Sequence, residues 1–579
     1  MPEFLRFAAM RFIARNMFVR CSLLLPLLVW LAPAQGALER VDDFALLDQH
    51  GEFHQLSRYR HMRALAVMAY SADCPAMAEM AARFEDLGDT LSDRDIAFLF
   101  IDTQGLDRGQ LRGLELELPI LDDGGRLVSA ALEFGQAGEV ALLFPERLSL
   151  FYQGAAGAGF EQTLDAVLAA EVTNSIADSI RAPLEAGCPL EFPVRETMLA
   201  EAPDYAGEVA PRIIENCGMC HRRGGVGPFA LDSHLMLLGW SPMIREVLLN
   251  KRMPPMQVDP HIGHSRDAQY IAAEDLQVLV NWIDAGAPGP AGEADPLLAL
   301  AEAPAPGWQL GEPDYIVQAP RQDIPPVGVL DYTYEETELG LGEEEWVRAL
   351  QYLPGDQSVL HHLMSFVTGE GEDFWGAERR QENSTRRFLD GYAPGQDLLR
   401  EFPPGTGVRI RPGEKLSMQF HYVTNGQSTS DATRIGLYFY DEPPEREIFT
   451  DAVSTRFLLP PNVPEFPLRA SRRLERDAVL TGVRARMNFR GKKMKFAYQA
   501  PGEPLREIFS VPAYNYGWQP YYRLDEPLAI PAGATLHVIG AFDNSISNPN
   551  NPNPDAELRF GVESWEEMFT GYFTYHHAH

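Results

Sequence analysis

Basic residues are in short supply in this chain: 49 Lys and Arg stand against 82 Asp and Glu, a formal net charge of −33 over 579 residues. So acidic a surface repels phosphate backbones, which argues against nucleic acid and favours solubility or a basic partner. Long apolar runs are nearly missing as well. The one candidate, Leu23–Leu31, is too short to be a convincing membrane span, and nothing later resembles one. Cysteine is sparse: Cys21, Cys74, Cys188, Cys217 and Cys220. No lipobox precedes Cys21, which argues against a lipid anchor. Cys74 and Cys188 are left either as one structural disulfide in an oxidising compartment or as two free thiols.

What is present starts with a leader. Arg6, Arg11, Arg15 and Arg20 face a single acid, Glu3, before the apolar run and a small-residue exit, Ala32-Pro33-Ala34-Gln35-Gly36-Ala37. This is the pattern of a secretory signal over residues 1–36, which places the mature protein in the periplasm or outside the cell. The length left over accommodates three or four domains.

The most specific motif is Cys217-Gly218-Met219-Cys220-His221. Two thiols three positions apart with a histidine directly after are what covalent haem c attachment requires. Each thiol adds across one vinyl group, and the histidine becomes an axial iron ligand. A redox dithiol needs only the two cysteines, and zinc needs a second ligand pair. Neither His234 nor His261 with His264 supplies a good zinc spacing. In the following loop, 224–229, glycines let the backbone approach the ring. A proline carbonyl there, that of Pro228, can fix the histidine tautomer. The first candidate for the second axial ligand is Met253, in the rigid stretch Arg252-Met253-Pro254-Pro255-Met256, and Met256 is the next. The bland alternative makes Met253 a loop-anchoring hydrophobe. Apolar helical runs at Met243–Leu249 and Val278–Ile283 complete a small all-α, cytochrome c-like domain over 205–290.

Residues 38–175 alternate strand and helix. Ala64–Tyr70 reads as a buried strand, a helix follows from Pro75 to Leu87, and Ile96–Ile101 is a second strand. The segments Glu139–Phe144 and Leu148–Tyr152 read as a hairpin. With Cys74-Pro75 at the first strand-to-helix turn, this order resembles the thioredoxin-like redoxin fold, where a helix N-terminus lowers a thiol pKa. Met77 stands where a dithiol has its second cysteine, so exchange within one motif is excluded. Ser71 precedes Cys74 by three, as a hydroxyl does in peroxiredoxin sites, without the proline usual there.

Residues 291–312, rich in Ala, Pro and Glu, read as a linker. Beyond them short β segments with frequent Gly and Pro fit two β-sandwiches, over 313–447 and 448–579, with a break near 442–460. His361 and His362 sit side by side in one apolar strand, and His421 lies in another. Three neutral imidazoles from two strands suit copper. Adjacent strand residues face opposite ways, so the pair can share one ion only if the strand twists or bulges. Otherwise these are ordinary core and surface histidines.

From about 330 to 573 the chain resembles the copper type II ascorbate-dependent monooxygenases, relatives of the peptidylglycine α-hydroxylating and dopamine β-monooxygenases. More narrowly it is similar to their bacterial haem c-fused cousins. The matching stretches are Arg490-Gly491-Lys492-Lys493-Met494, Tyr514-Asn515-Tyr516-Gly517-Trp518-Gln519, Asp543-Asn544-Ser545 with the Asn-Pro repeats of 548–554, and Glu567-Met568. The resemblance implies tandem jelly-roll sandwiches and the order redoxin, cytochrome c, copper domains. It also implies an electron-transferring copper on His361, His362 and His421. The family's oxygen-binding copper takes a His-x-His pair before the Arg-Gly-Lys stretch and a late methionine. Here Arg486-Met487-Asn488 occupies the pair, leaving Met568 as the family's remaining metal ligand at that site. A protonated arginine is an unsuitable ligand.

Two functions lead, with a thiol peroxidase using Cys74 as a third whose motif is incomplete. In the first, haem passes electrons to copper for oxygen-dependent oxidation of a small organic substrate, with an electron-donor protein or small reductant as partner. Catalytic residues are not assigned. In the second, the degenerate oxygen site leaves an electron-relay or copper-binding subunit. Tyr575-His576-His577-Ala578-His579 is expected to be a loose tail, with metal binding or supply of missing ligands as the alternative.

Overall fold

The computed structural model describes residues 38–579 except 92, 170–178, 185–186, 256–257, 266, 269, 293, 302–305, 375–386, 562–564 and 579. The leader expected over 1–36, Met256 and His579 therefore lie outside the described residues.

The first unit is α/β. Ala64–Tyr70 is buried at every position, because it lies inside the sheet with both faces covered, and this is why it reads as an unbroken apolar run. It pairs in parallel with Ile96–Asp102 and antiparallel with Glu139–Phe144. The latter forms a hairpin with Ser149–Ala155. This mixture of parallel and antiparallel neighbours is of the thioredoxin-like type. The helix Met77–Thr90 buries Met77, Ala81, Phe84 and Gly88, one face at helical spacing. The Phe84 ring meets Phe98 and Phe100 at 5.1 and 5.2 Å. Cys74 sits in the turn before this helix and is disulfide-bonded to Cys188, 114 residues away. Cys74 is therefore not a free thiol.

A small helical unit follows. Its main helices are Ala210–Asn216, His234–Leu249 and Ala273–Asp284, packed around Val209, Ile213, Leu237, Leu279 and Trp282. The stretch read as a linker is tied to it: Leu297 and Leu300 enter this core, and Asp295 accepts hydrogen bonds from Tyr205 Oη and from the His234 backbone N–H. Composition signals a linker, but two leucines among the alanines suffice to dock it.

The remainder is β. The sheets Thr333–Glu338, Lys415–Tyr422, Leu360–Thr368, Arg387–Tyr392 and, later, Phe466–Arg473, Thr535–Phe542, Gly491–Gln499, Arg506–Val511 each face part of one nine-stranded sheet. Two cores result, one toward each end of its strand order, with Ile448 in the first and Val453 in the second. The nine-stranded sheet runs through both. Arg446–Ser454, which covers the expected break, pairs in parallel with Thr406–Ile410 and antiparallel with Thr570–His577. That last strand contains most of the expected loose tail. It is inserted between Arg446–Ser454 and Ala478–Arg486, since Phe573 and Tyr575 alternate inward with the core residues of its neighbours. Among the described residues, no helix is long and apolar enough to cross a membrane.

Candidate metal centre and its surroundings

His361 and His362 lie in Leu360–Thr368, which pairs antiparallel with the strand carrying His421, and His362 stands directly opposite His421. Between Leu360 and His362 the register shifts by one residue. His361 is the extra residue of a β-bulge, which re-aims a side chain that pleating alone would send to the other face. All three rings thereby converge. His361 Nδ1 is 3.1 Å from His362 Nδ1, and one ligand nitrogen from each histidine lies within 4.8 Å of the others. Among the described residues this is the only group of three or more His, Cys, Asp or Glu side chains so arranged.

The environment holds the rings neutral. Burial lowers the His361 pKa to about 4 and the His421 pKa to about 3, the neighbouring imidazole and Arg486 adding to the latter. His362, 1 % exposed, is driven well down, by burial first and then by the other two rings and by Arg486 and Arg484. Its Nε2 is buried with no hydrogen-bond partner, an orphan that a metal ion would satisfy. Neutral imidazole lone pairs are what a transition metal requires, so the donor set fits copper. Two tyrosines enclose it. Tyr516 Oη is 3.5 Å from His421 Nδ1 and 3.1 Å from Tyr332 Oη, and the Tyr332 ring centroid is 5.1 Å from that of His421. Tyr332 has no signature in the sequence. It arrives because Thr333 pairs with Phe420, next to His421.

Where the resemblance implies a second metal, the protein places a cation of its own. Arg486, 2 % exposed, ends the strand Ala478–Arg486. Its Nε and Nη1 donate to the sulfurs of Met568 and Met364, and its Nη2 donates to Gln419 Oε1 at 2.9 Å. Met364 follows His362 by two and Gln419 precedes His421 by two, so Arg486 lies beside the three histidines. Met568, expected as a metal ligand, accepts from this guanidinium. Asn488 Nδ2 donates to the Glu566 carbonyl at 3.0 Å. Glu567 accepts from the backbone N–H groups of Asn488 and Arg490, and burial raises its pKa to about 8. Arg484, two residues before Arg486, is fully buried, and none of its three guanidinium nitrogens has a hydrogen-bond partner among the described residues.

At the other motif, Cys217 caps the C-terminal end of Ala210–Asn216, and the thiols of Cys217 and Cys220 are both free. Redox dithiols gain acidity at a helix N-terminus. Here burial raises the thiol pKa of Cys217 to about 12 and that of Cys220 to about 11, which disfavours thiol–disulfide exchange. His221 Nδ1 is 3.1 Å from the carbonyl of Phe229, one residue beyond the proline expected to hold it. Pro228 precedes the turn back, and the Leu231 N–H bonding to His221 O brings Phe229 rather than Pro228 alongside the ring. The proton sits on Nδ1, and Nε2 is left as the ligand atom. The glycines serve the motif itself: a methyl on Gly225 would fall 2.3 Å from Cys220 O, and one on Gly227 2.8 Å from His221 Nδ1. These features fit covalent haem attachment. Met253 is 39 % exposed, its backbone N–H bonded to Val247 O. Among the described residues no hydrogen bond or ring contact joins it to His221.

No family model matches this chain, and no curated protein matches it. Solved structures similar to part of it include peroxidoxin BcpB from Mycobacterium tuberculosis, 18 % identical over 23 % of this chain and 95 % of that one, with a TM-score of 0.20. The thioredoxin domain of a thiol-disulfide oxidoreductase from Bacteroides vulgatus is 12 % identical over 23 % of this chain and 98 % of its own, with a TM-score of 0.20. A mitochondrial 2-cys peroxiredoxin from Plasmodium falciparum is 12 % identical over 23 % and 91 %, with a TM-score of 0.19.

Proposed function

We propose that this chain is an exported electron-transfer protein that carries haem c on Cys217, Cys220 and His221 and one copper ion on His361, His362 and His421. The observation that carries the reading is the set of three buried, neutral imidazoles brought together by the bulge at His361. When bound, the two groups supply one-electron redox chemistry. The protein's own residues prepare for them. The Phe229 carbonyl holds the His221 proton on Nδ1, and burial keeps the three imidazoles unprotonated. Arg484 and Arg486 set fixed positive charge beside the histidines, which favours the less charged state of an ion held there. The acidic surface suits a basic electron-donor protein, with a small reductant as the alternative.

The second reading, oxygen-dependent oxidation of a small organic substrate as in the copper monooxygenases, draws on Met568. This thioether is buried and lies close to the histidine-bearing strands through Arg486. It needs a second copper where Arg486 and Asn488 now stand.

Copper and haem counted in the purified, copper-loaded protein separate these readings. One copper per haem is expected. Two would replace the electron-transfer reading with the monooxygenase one, and none would remove copper from both.

A further inference from the structure

The turn at 514–519 borders the haem-attachment motif with one residue and lies against His361 and His421 with that residue's neighbours. Gly395 has φ +80°, a conformation that favours glycine. A methyl placed on it would come 2.8 Å from Trp518 Cζ2 and 3.3 Å from Cys220 Sγ, so the indole and the thiol both border this bare backbone. One residue earlier, the Gly517 backbone lies against the His361 ring, and a methyl on Gly517 would lie 3.8 Å from His361 Nε2. Tyr516 places its hydroxyl at His421 Nδ1. The turn is held in shape by Asn515, whose Oδ1 accepts from Gly517 N and whose carbonyl accepts from Trp518 N, both at 2.9 Å. Trp518 is 9 % exposed, and its Nε1 has no hydrogen-bond partner. The hydrogen bonds of the turn do not explain why a tryptophan stands there.

We infer that this turn is the electron route between the two cofactor sites and that Trp518 is its positioning residue on the haem side. The inference rests on the haem-and-copper reading above. The transfer moves one electron: ferrous haem iron is oxidised to ferric, Cu(II) at the histidines is reduced to Cu(I), no bond is made or broken, and no proton moves. Trp518 shares the Gly395 backbone with Cys220 as a neighbour and is bonded through the chain to Gly517. The proposed path therefore crosses at Gly395 and then follows the covalent chain to Gly517.

The test uses the full-length protein with haem attached and Cu(II) loaded. Its haem is reduced by a flash-generated flavin radical, and reoxidation is followed in the ferrous haem band alongside the Cu(II) resonance. Wild type is expected to show first-order reoxidation that is lost without copper. Trp518→Leu should slow it by an order of magnitude or more, and Trp518→Phe, which keeps a ring in place, by less, with the haem spectrum and the copper-to-haem ratio unchanged. A wild-type rate in either folded, fully loaded variant overturns the route and leaves the haem-and-copper reading standing. Wild type that holds no copper, or reoxidises equally fast without it, brings down that reading and the route together.

Discussion

Burial acts on imidazoles in the first sandwich and on guanidiniums in the second, with opposite results. His362 is 1 % exposed and Arg484 and Arg486 are 0 % and 2 %, so the three side chains lose water to the same degree. An imidazole begins near neutrality, so desolvation makes it a neutral donor at every physiological pH. A guanidinium begins so high that even Arg484, lowered to about 10 by burial and by Arg486, keeps its charge. Matched burial thus leaves neutral donors where the residue is histidine and a fixed cation where it is arginine. Residue type decides which, and Arg486 brings the two outcomes together by bonding Met364 and Gln419 on the histidine-bearing strands.

Removing an imidazole is expected to have the largest effect. His362→Ala deletes one of three donors, and its copper affinity is expected to fall by more than about 100-fold, beyond the 10–100-fold cost of losing an outer-shell partner. Titration against a chromophoric copper chelator reads this. Affinity within a few-fold of wild type would mean that the ion sits elsewhere.

Acid tests the neutrality of the rings in the metal-free protein. The folded-state pKa values of His361 and His421, about 4 and about 3, lie below the unfolded value near 6.5. Between these limits the unfolded chain binds more protons than the folded one, so the stability these rings contribute is present above pH ~6.5 and is lost as pH falls toward ~4. The expected loss is on the order of 1 kcal/mol per pH unit for each histidine. Urea unfolding at several pH values measures it. His421→Ala should flatten the slope, and an unchanged slope would show that the rings titrate normally.

Much of this site was legible from the sequence, and what was not has identifiable causes. The Cys217–His221 motif is local, so spacing alone brings its members together. His361, His362 and His421 required two further facts: that the strands pair, and that a bulge falls between Leu360 and His362. Adjacent histidines in a strand ordinarily argue against a shared ion, and nothing in the residue string marks the slip. Arg486 and Asn488 could be read as missing ligands, but their new partners could not, because Met364, Gln419 and Met568 come from three separate strands or loops. The C-terminal histidines misled for the opposite reason. Their composition suggests a loose tail, whereas Phe573 and Tyr575 just before them are core residues that anchor an interior strand.

The finest adjustment to the comparison is to remove the cation and leave the imidazoles in place. Arg486→Met keeps a long unbranched side chain among Met364, Met568 and Tyr332 and deletes the positive charge that opposes an ion at His362 and His421. At an effective dielectric near 20, two unit charges several ångströms apart interact by about 1–3 kcal/mol. The charge of Cu(II) exceeds that of Cu(I) by one, so the oxidised form gains more from the substitution. The variant is expected to bind Cu(II) more tightly by roughly that amount and to show a lower copper reduction potential, with the haem potential moved less. Equilibrium dialysis and a redox titration followed by the Cu(II) resonance read the two quantities separately. Tighter binding without a drop in potential would assign Arg486 to packing. A drop in potential without a change in copper count would show that the guanidinium tunes the histidine site from its neighbouring position.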